Sequence, residues 1–177
     1  MSRPPRPSHL PLRDGVSASC VVVRPGDAPT ALDFLAARLP VLSRDEWAER
    51  LACGEVLDAQ GQPLNADTPC RPGQRIFYYR RLASEPEPLV SEHIVFQDEW
   101  MVVADKPHFM PVTPSGRFVQ QSLLVRLKRR LGLADLSPVH RIDRETAGLV
   151  VFAVQTHTRD AYQARFRDRR VHKLYEA

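Results

Sequence analysis

Apolar residues in the 177-residue chain recur first at helical spacing. Leu32, Leu35 and Leu39 share one side of a helix that Thr30 caps and Pro40 ends. "SRDE" at 43–46 is a capping box, in which the Ser43 hydroxyl and the Glu46 carboxylate satisfy each other's orphan amides. Trp47 and Leu51 then lie on one face of a second helix, which Gly54 stops. Short strands are predicted at Val21–Val23, Val56–Leu57, Leu64 and Ile76–Tyr79, with "AQGQ" and "RPGQ" as turns. "LASEPEPLVSE" at 82–92 is rich in proline and glutamate and has no period, so it predicts a linker. Beyond it, strands are predicted at His93–Phe96 and Met101–Ala104, around the turn-like "QDEW". Phe118, Leu123, Leu124 and Leu127 mark an amphipathic helix with a basic opposite face. A buried strand at Leu149–Val154 and a helix near Thr158–Phe166 follow, with Phe166 taken as core. The closing "RRVHKLYEA" alternates like a strand.

These elements give an α+β fold class. A small α+β domain spans 21–81, and a second body, a mixed but mainly antiparallel sheet flanked by helices, spans 93–177. Residues 1–20 read as a disordered tail, because the first fourteen hold four prolines and three arginines and little that could be buried.

Composition narrows the classes. Hydrophobic content of 43% and charged content of 26% are those of a globular protein. The longest apolar run, "GLVVFAV", is too short to span a bilayer, and the N-terminus lacks an apolar signal core. Cys20, Cys53 and Cys70 form neither a CxxC pair nor an even set, so free thiols in a reducing cytoplasm are expected. There is no Walker loop, no GxGxxG and no Cys/His set at metal spacing, so neither a cofactor nor a metal is expected. The net charge of +4 conceals an asymmetry: residues 1–116 balance to −3 and residues 117–177 to +7. Such a lopsided basic half fits a polyanionic partner, most often nucleic acid, or simply a solvated basic face.

The densest chemistry is "HRIDRETAG" at 140–148, set directly against the apolar "LVVFAV". In an extended segment Arg141 and Asp143 would point to one side and Ile142 to the other. A carboxylate flanked by guanidiniums should stay ionised. In a sheltered cleft it could serve as nucleophile, base or ion-pair anchor, while Arg141 and Arg144 grip phosphates. The plainer alternative is an ion-pair cluster at a strand edge.

"HRIDRETAGLVVFA" resembles the signature of the RluA-type pseudouridine synthases, roughly H-R-[LI]-D-x-x-T-[SA]-G-L. "HIVFQDEWMVVADKP" looks like that family's opening strand pair, and "FRDRRVHKLYEA" like its later F…V-x-K-x-Y-x-A motif. Residues 28–80 more weakly resemble the small RNA-binding domain named after ribosomal protein S-four, although "RDEWAER" stands where that domain usually has a basic face. In "KPHFMPVTPSG", His108 replaces the small residue or glycine pair common in the family.

The resemblance implies isomerisation of uridines in structured RNA, ribosomal or transfer, by a cytoplasmic enzyme without cofactor or metal that is monomeric when full length. It makes Asp143 the catalytic carboxylate, acting either on the anomeric carbon or on a sugar proton. Arg141 enters the space left by the flipped base or holds its phosphate, and Tyr175 stacks on the uracil. His140 orients the loop, Arg144 and Lys173 contact RNA, and Lys106 holds the cleft edge unless it is merely an exposed lysine before a turn. Arg126, Lys128, Arg129 and Arg130 are phosphate contacts. The family's remaining basic motif lies beyond its tyrosine, so the 177-residue chain is expected to be an incomplete, inactive catalytic domain. The rival class is an RNA-binding module without catalysis, which has no use for Asp143. A kinase-like reading of "HRID" fails, because the Asp is displaced and no glycine-rich loop or D-F-G is present.

Overall fold

A computed structural model describes residues 10–82 and 84–176. The chain divides between Arg80 and Arg81 into two compact units.

The first unit comprises β1 (Ser19–Val22), α1 (Ala31–Arg38), α2 (Arg44–Ala52), β2 (Val56–Leu57) and β3 (Arg75–Tyr78). β3 is central, with β1 and β2 antiparallel on its two sides. Thr30 Oγ1 accepts the Asp33 N–H at 3.3 Å, which starts α1. The capping box closes as expected: the Glu46 N–H donates to Ser43 Oγ at 3.2 Å, and the Ser43 N–H donates to Glu46 Oε2 at 2.7 Å. Trp47 then donates its indole N–H to the Leu39 carbonyl at 3.2 Å, which fastens the second helix to the end of the first. Phe34, Leu35, Trp47, Leu51, Val56 and Ile76 form the core between helices and sheet. Leu64 is buried but in no strand; its N–H bonds to the Val56 carbonyl at 2.9 Å.

The expected tail needs correction over residues 10–20. Leu10 is 0% exposed and packs with Ala18, Leu57, Phe77 and Tyr79 in a second small core. The Tyr79 hydroxyl donates to the Pro11 carbonyl at 2.7 Å, and the Arg13 guanidinium lies 4.4 Å from the centre of the Tyr79 ring. A few apolar residues scattered among prolines suffice here, because Phe77 and Tyr79 offer them a ready surface. Residues 1–9 of that tail lie outside the described residues.

The second unit comprises β4 (His93–Gln97), β5 (Met101–Lys106), α3 (Leu123–Leu131), β6 (Ser137–Pro138), β7 (Gly148–Ala153) and, after a 3-10 turn at Thr156–Thr158, α4 (Arg159–Arg167). Its sheet runs β4-β5-β7-β6, and each pairing is antiparallel, so the expected admixture of parallel strands is absent among the described residues. The register sets Val102 opposite Phe152, Ala104 opposite Val150 and Lys106 opposite Gly148. Strand alternation therefore sends Val102, Ala104 and Lys106 to the core side. There Val102, Ala104, Val150 and Phe152 meet Leu123 and Leu127 of α3, with Met110 and Val112 from the loop between them.

Three expectations change in this unit. The helix predicted from Phe118 starts only at Leu123, because the preceding amides are used elsewhere: Val119, Gln120 and Gln121 donate to the Glu85 carboxylate at 2.7, 2.9 and 3.0 Å. Glu92, 4% exposed, pairs with Arg126 of α3 at 2.7 Å. Residues 84–92 thus have no helix or strand yet are bound to the second unit, not a loose linker. The predicted strand at "RRVHKLYEA" is irregular, since no described strand pairs with it. Alternation without a neighbouring edge to bond does not make a strand.

Leu10→Ala separates the packed reading of residues 10–20 from the tail reading. A buried leucine truncation should cost about 3 kcal/mol, read from urea unfolding of the first unit through Trp47 fluorescence. A change below about 0.5 kcal/mol, the usual size for an exposed position, would restore the tail.

Candidate active site

Residues 140–147 form an irregular loop between β6 and β7; the strand begins only at Gly148. The Thr146 N–H donates to the Asp143 carbonyl at 3.2 Å, so the chain turns under Asp143 instead of running extended. Asp143 and Arg141 are exposed. The carboxylate is therefore reachable, and the sheltered cleft expected around it is not formed by the described residues. Arg144 does not pair with it. Its guanidinium binds Glu145, with Nε–Oε1 at 2.8 Å, and lies 5.9 Å from the centre of the Phe118 ring. That hydrogen bond holds the Glu145 carboxyl below its ordinary value.

The loop is held from behind. Lys106, at the end of β5, is 0% exposed, which removes the alternative of an exposed lysine before a turn. Its ammonium donates to the Pro107 carbonyl at 2.9 Å and to the Arg144 carbonyl at 3.2 Å. His108, two residues on, places Nδ1 2.6 Å from the Glu145 carbonyl, which makes Nδ1 the protonated nitrogen. The two carbonyls that follow Asp143 are thus both fixed by the segment after β5. Burial pushes the Lys106 pKa down to about 8, opposed by the Glu145 and Asp143 carboxylates.

His140 forms a separate group. Its Nε2 accepts the Val151 N–H at 3.2 Å, so the neutral ring carries its proton on Nδ1. The ring stacks on Phe166 at 4.4 Å, and the Lys173 ammonium sits 5.4 Å from the centre of that same phenyl. Burial, then the Lys173 charge, lowers the His140 pKa against the Arg141 backbone, which favours the charged ring. Phe166 is only half-buried, so it is a bridge between two polar groups and not the core residue expected. Lys173 reaches this group, whereas Tyr175 is 61% exposed.

The basic helix is narrower as a surface than its sequence suggests. Arg126 is spent on Glu92 and on Gln121 Oε1 at 2.8 Å, and Lys128 is buried. Arg129 and Arg130 remain exposed, with only long bonds of 3.5 Å to the carbonyls of Gln120 and Glu92. Sequence reasoning missed Glu85, Glu92 and the His108 bond; a proline-rich acidic stretch carries no periodic signal that would reveal buried carboxylates. Among the described residues no group of three His, Cys, Asp or Glu could hold a metal ion, and no helix is long and apolar enough to cross a membrane.

Residues 100–177 match the family model described as RNA pseudouridylate synthase. The chain is 31% identical over 144 residues to an uncharacterized RNA pseudouridine synthase of Synechocystis, across 81% of this chain and 49% of that protein. It is 36% identical over 92 residues to the tRNA pseudouridine(31) synthase of Saccharomyces cerevisiae, across 52% of this chain and 22% of that one. A solved human RNA pseudouridylate synthase domain aligns with 44% of this chain and 30% of its own at 32% identity and a TM-score of 0.38. The chain spans about half the length, or less, of the curated relatives it matches.

The buried ammonium makes a pH prediction. Lys106 has a folded value near 8 against 10.5 for the free side chain, so between them the folded chain binds fewer protons. Lys106→Met keeps the length and removes the charge. Wild-type stability relative to that variant should climb from about pH 8 to 10.5 and stay level below pH 8. Urea unfolding of both chains across this range checks it; a level difference throughout would mean the ammonium is not desolvated.

Proposed function

We propose that this chain, whose residues 100–177 match the RNA pseudouridylate synthase model and which is similar to an RNA pseudouridine synthase over 81% of its length, isomerises uridine to pseudouridine in RNA with Asp143 as the catalytic carboxylate. One observation carries the assignment of the residue. Asp143 is exposed to a substrate while Lys106 and His108 hold the two carbonyls behind it. A reacting group must be both reachable and fixed in position, and a carboxylate in a purely structural ion pair needs neither.

The target base has to leave its stack before the carboxylate can reach the sugar. Asp143 then either attacks the anomeric carbon as the bond to N1 breaks, or takes a sugar proton to form a glycal. In both routes the released uracil turns and bonds to the anomeric carbon through C5, as the Asp143–sugar bond breaks or the glycal regains its proton; the C5 hydrogen then leaves as a proton and N1 gains one. Arg141, exposed beside Asp143, fills the vacated stack or holds the flipped phosphate. By the family's F…V-x-K-x-Y motif, Tyr175 is the residue that stacks on the uracil. His140 and Arg144 shape the loop, and Lys173 reaches its base through Phe166. Arg129 and Arg130 are the phosphate contacts; Arg126 and Lys128 support the helix that carries them. The first unit adds little affinity, since Asp45, Glu46 and Glu49 give α2 an acidic side.

Mapping pseudouridines in cellular RNA with and without the gene tests the reaction and identifies the uridine. Restoring the gene with Asp143→Asn should leave that uridine unmodified, while the purified variant still binds the RNA. Modification at a normal level by the Asn form would remove Asp143 from the chemistry.

The charged helix gives a second test. Arg129→Glu with Arg130→Glu should weaken binding of all RNAs to a similar degree and flatten its salt dependence, because phosphate contacts release counterions without reading bases. Filter binding at several salt concentrations decides it. A loss confined to one RNA sequence would make these residues base readers.

A further inference from the structure

Phe109 has a backbone φ of +65°, a left-handed conformation that costs a bulky residue of order 1–3 kcal/mol and that glycine adopts freely. Its side chain is nonetheless 64% exposed, so core packing does not account for the ring. Nor is the segment loose. On one side Lys106 is fully buried and bonded to the Arg144 carbonyl, and on the other Met110 is 1% exposed. His108 is tied to the Glu145 carbonyl, two residues from Asp143, and its ring lies 6.0 Å from that of Phe109, tilted by 45°. The chain therefore displays two exposed aromatic rings on a backbone fixed to the Asp143 loop. Arg141 and Arg144, both exposed, are on that same loop.

We infer that His108 and Phe109 form a stacking edge beside Asp143, on which a base of the substrate RNA, either the flipped uracil or its neighbour, rests. The inference builds on the proposed reaction and adds the base-contacting residues to it. A flipped or splayed base loses its stacking partners, and an aromatic face held at the site replaces them. Guanidiniums nearby suit the phosphates on either side of such a base. The strain at Phe109 then has a use: a glycine would relax the backbone but present nothing to a base. His108 contributes twice, through the bond that fixes the edge and through its own ring.

The test uses the complete gene product and a transcript carrying the mapped uridine, with 2-aminopurine at the position flanking it. Phe109→Gly should weaken binding roughly tenfold, the measure of one base–aromatic stack, and should abolish part of the fluorescence quenching seen with wild type. Its melting temperature should be equal or higher, because the left-handed backbone is relieved. Phe109→Trp should restore affinity and quenching. Phe109→Gly that binds and quenches like wild type would overturn the stacking edge. Asp143→Asn in the same assay keeps the two questions apart: lost turnover with unaffected Phe109→Gly binding sinks only the stacking edge, whereas retained turnover in Asp143→Asn sinks the proposed chemistry itself.

Discussion

The ammonium of Lys106 is the interaction from which the rest of the second unit's site follows. Register places Lys106 on the core side of β5 with Val102 and Ala104, at the end of the sheet, where the hydrophobic layer stops. An ammonium taken out of water is expensive unless acceptors replace the lost hydration. The Pro107 and Arg144 carbonyls do so, and the Asp143 and Glu145 carboxylates favour its charge from outside. The consequence runs outward. To satisfy the buried cation, the loop between β6 and β7 must bring its backbone over the end of β5, and that path leaves the Asp143 side chain outside.

The same logic, with the charges reversed, holds α3 in place. Glu92 is the buried charge there, and Arg126 is its partner. Glu85 gathers three amides that would otherwise extend the helix toward Phe118. Two acids from an irregular segment thus set both where the helix begins and which of its cations remain free. The +7 balance of residues 117–177 overstates the charge on offer to a polyanion, since part of it is neutralised by Glu92 from outside that range.

Much of the fold was legible because it rests on local rules. Thr30 and Ser43 cap their helices, Trp47 and Leu51 share a buried face, and β5 and β7 alternate as their residues demand. What failed had no local signature. Leu10 looks like part of a disordered tail until Phe77 and Tyr79 are seen to receive it. β6, a Ser-Pro pair, becomes a strand only because β7 offers an edge. The alternating "VHKLYE" does not become one, because no described strand meets it. At the site, the motif located the loop and Asp143, but the buried state of Lys106 and the bond from His108 depend on how two distant segments meet. Arg144 was legible as a cation suited to phosphates but its bond to Glu145 was not, since adjacency in sequence does not decide whether a guanidinium turns toward residue 143 or 145.

Departures from those local rules meet in two short stretches, 106–109 and 143–145. Elsewhere, non-glycine residues with positive φ have plain explanations. Asp14 precedes Gly15 in a tight turn, and Arg169 follows the end of α4, where a left-handed residue closes a helix. Phe109 has no such excuse; three residues before it stands a lysine with no exposed surface, and the loop tied to His108 turns the Asp143 carboxylate to solvent. The left-handed Phe109 and the buried Lys106 each cost stability, and sequences that fold well keep such conflicts few. Their meeting at the end of one strand pair fits a region selected for contact with a substrate more than for stability. The cost is contained because the strained elements share one support: the β5–β7 register buries Lys106, Lys106 fixes Arg144, and His108 fixes Glu145. Phe109 and Asp143 can therefore both stand outside the core without freedom to wander, as the proposed reaction would require.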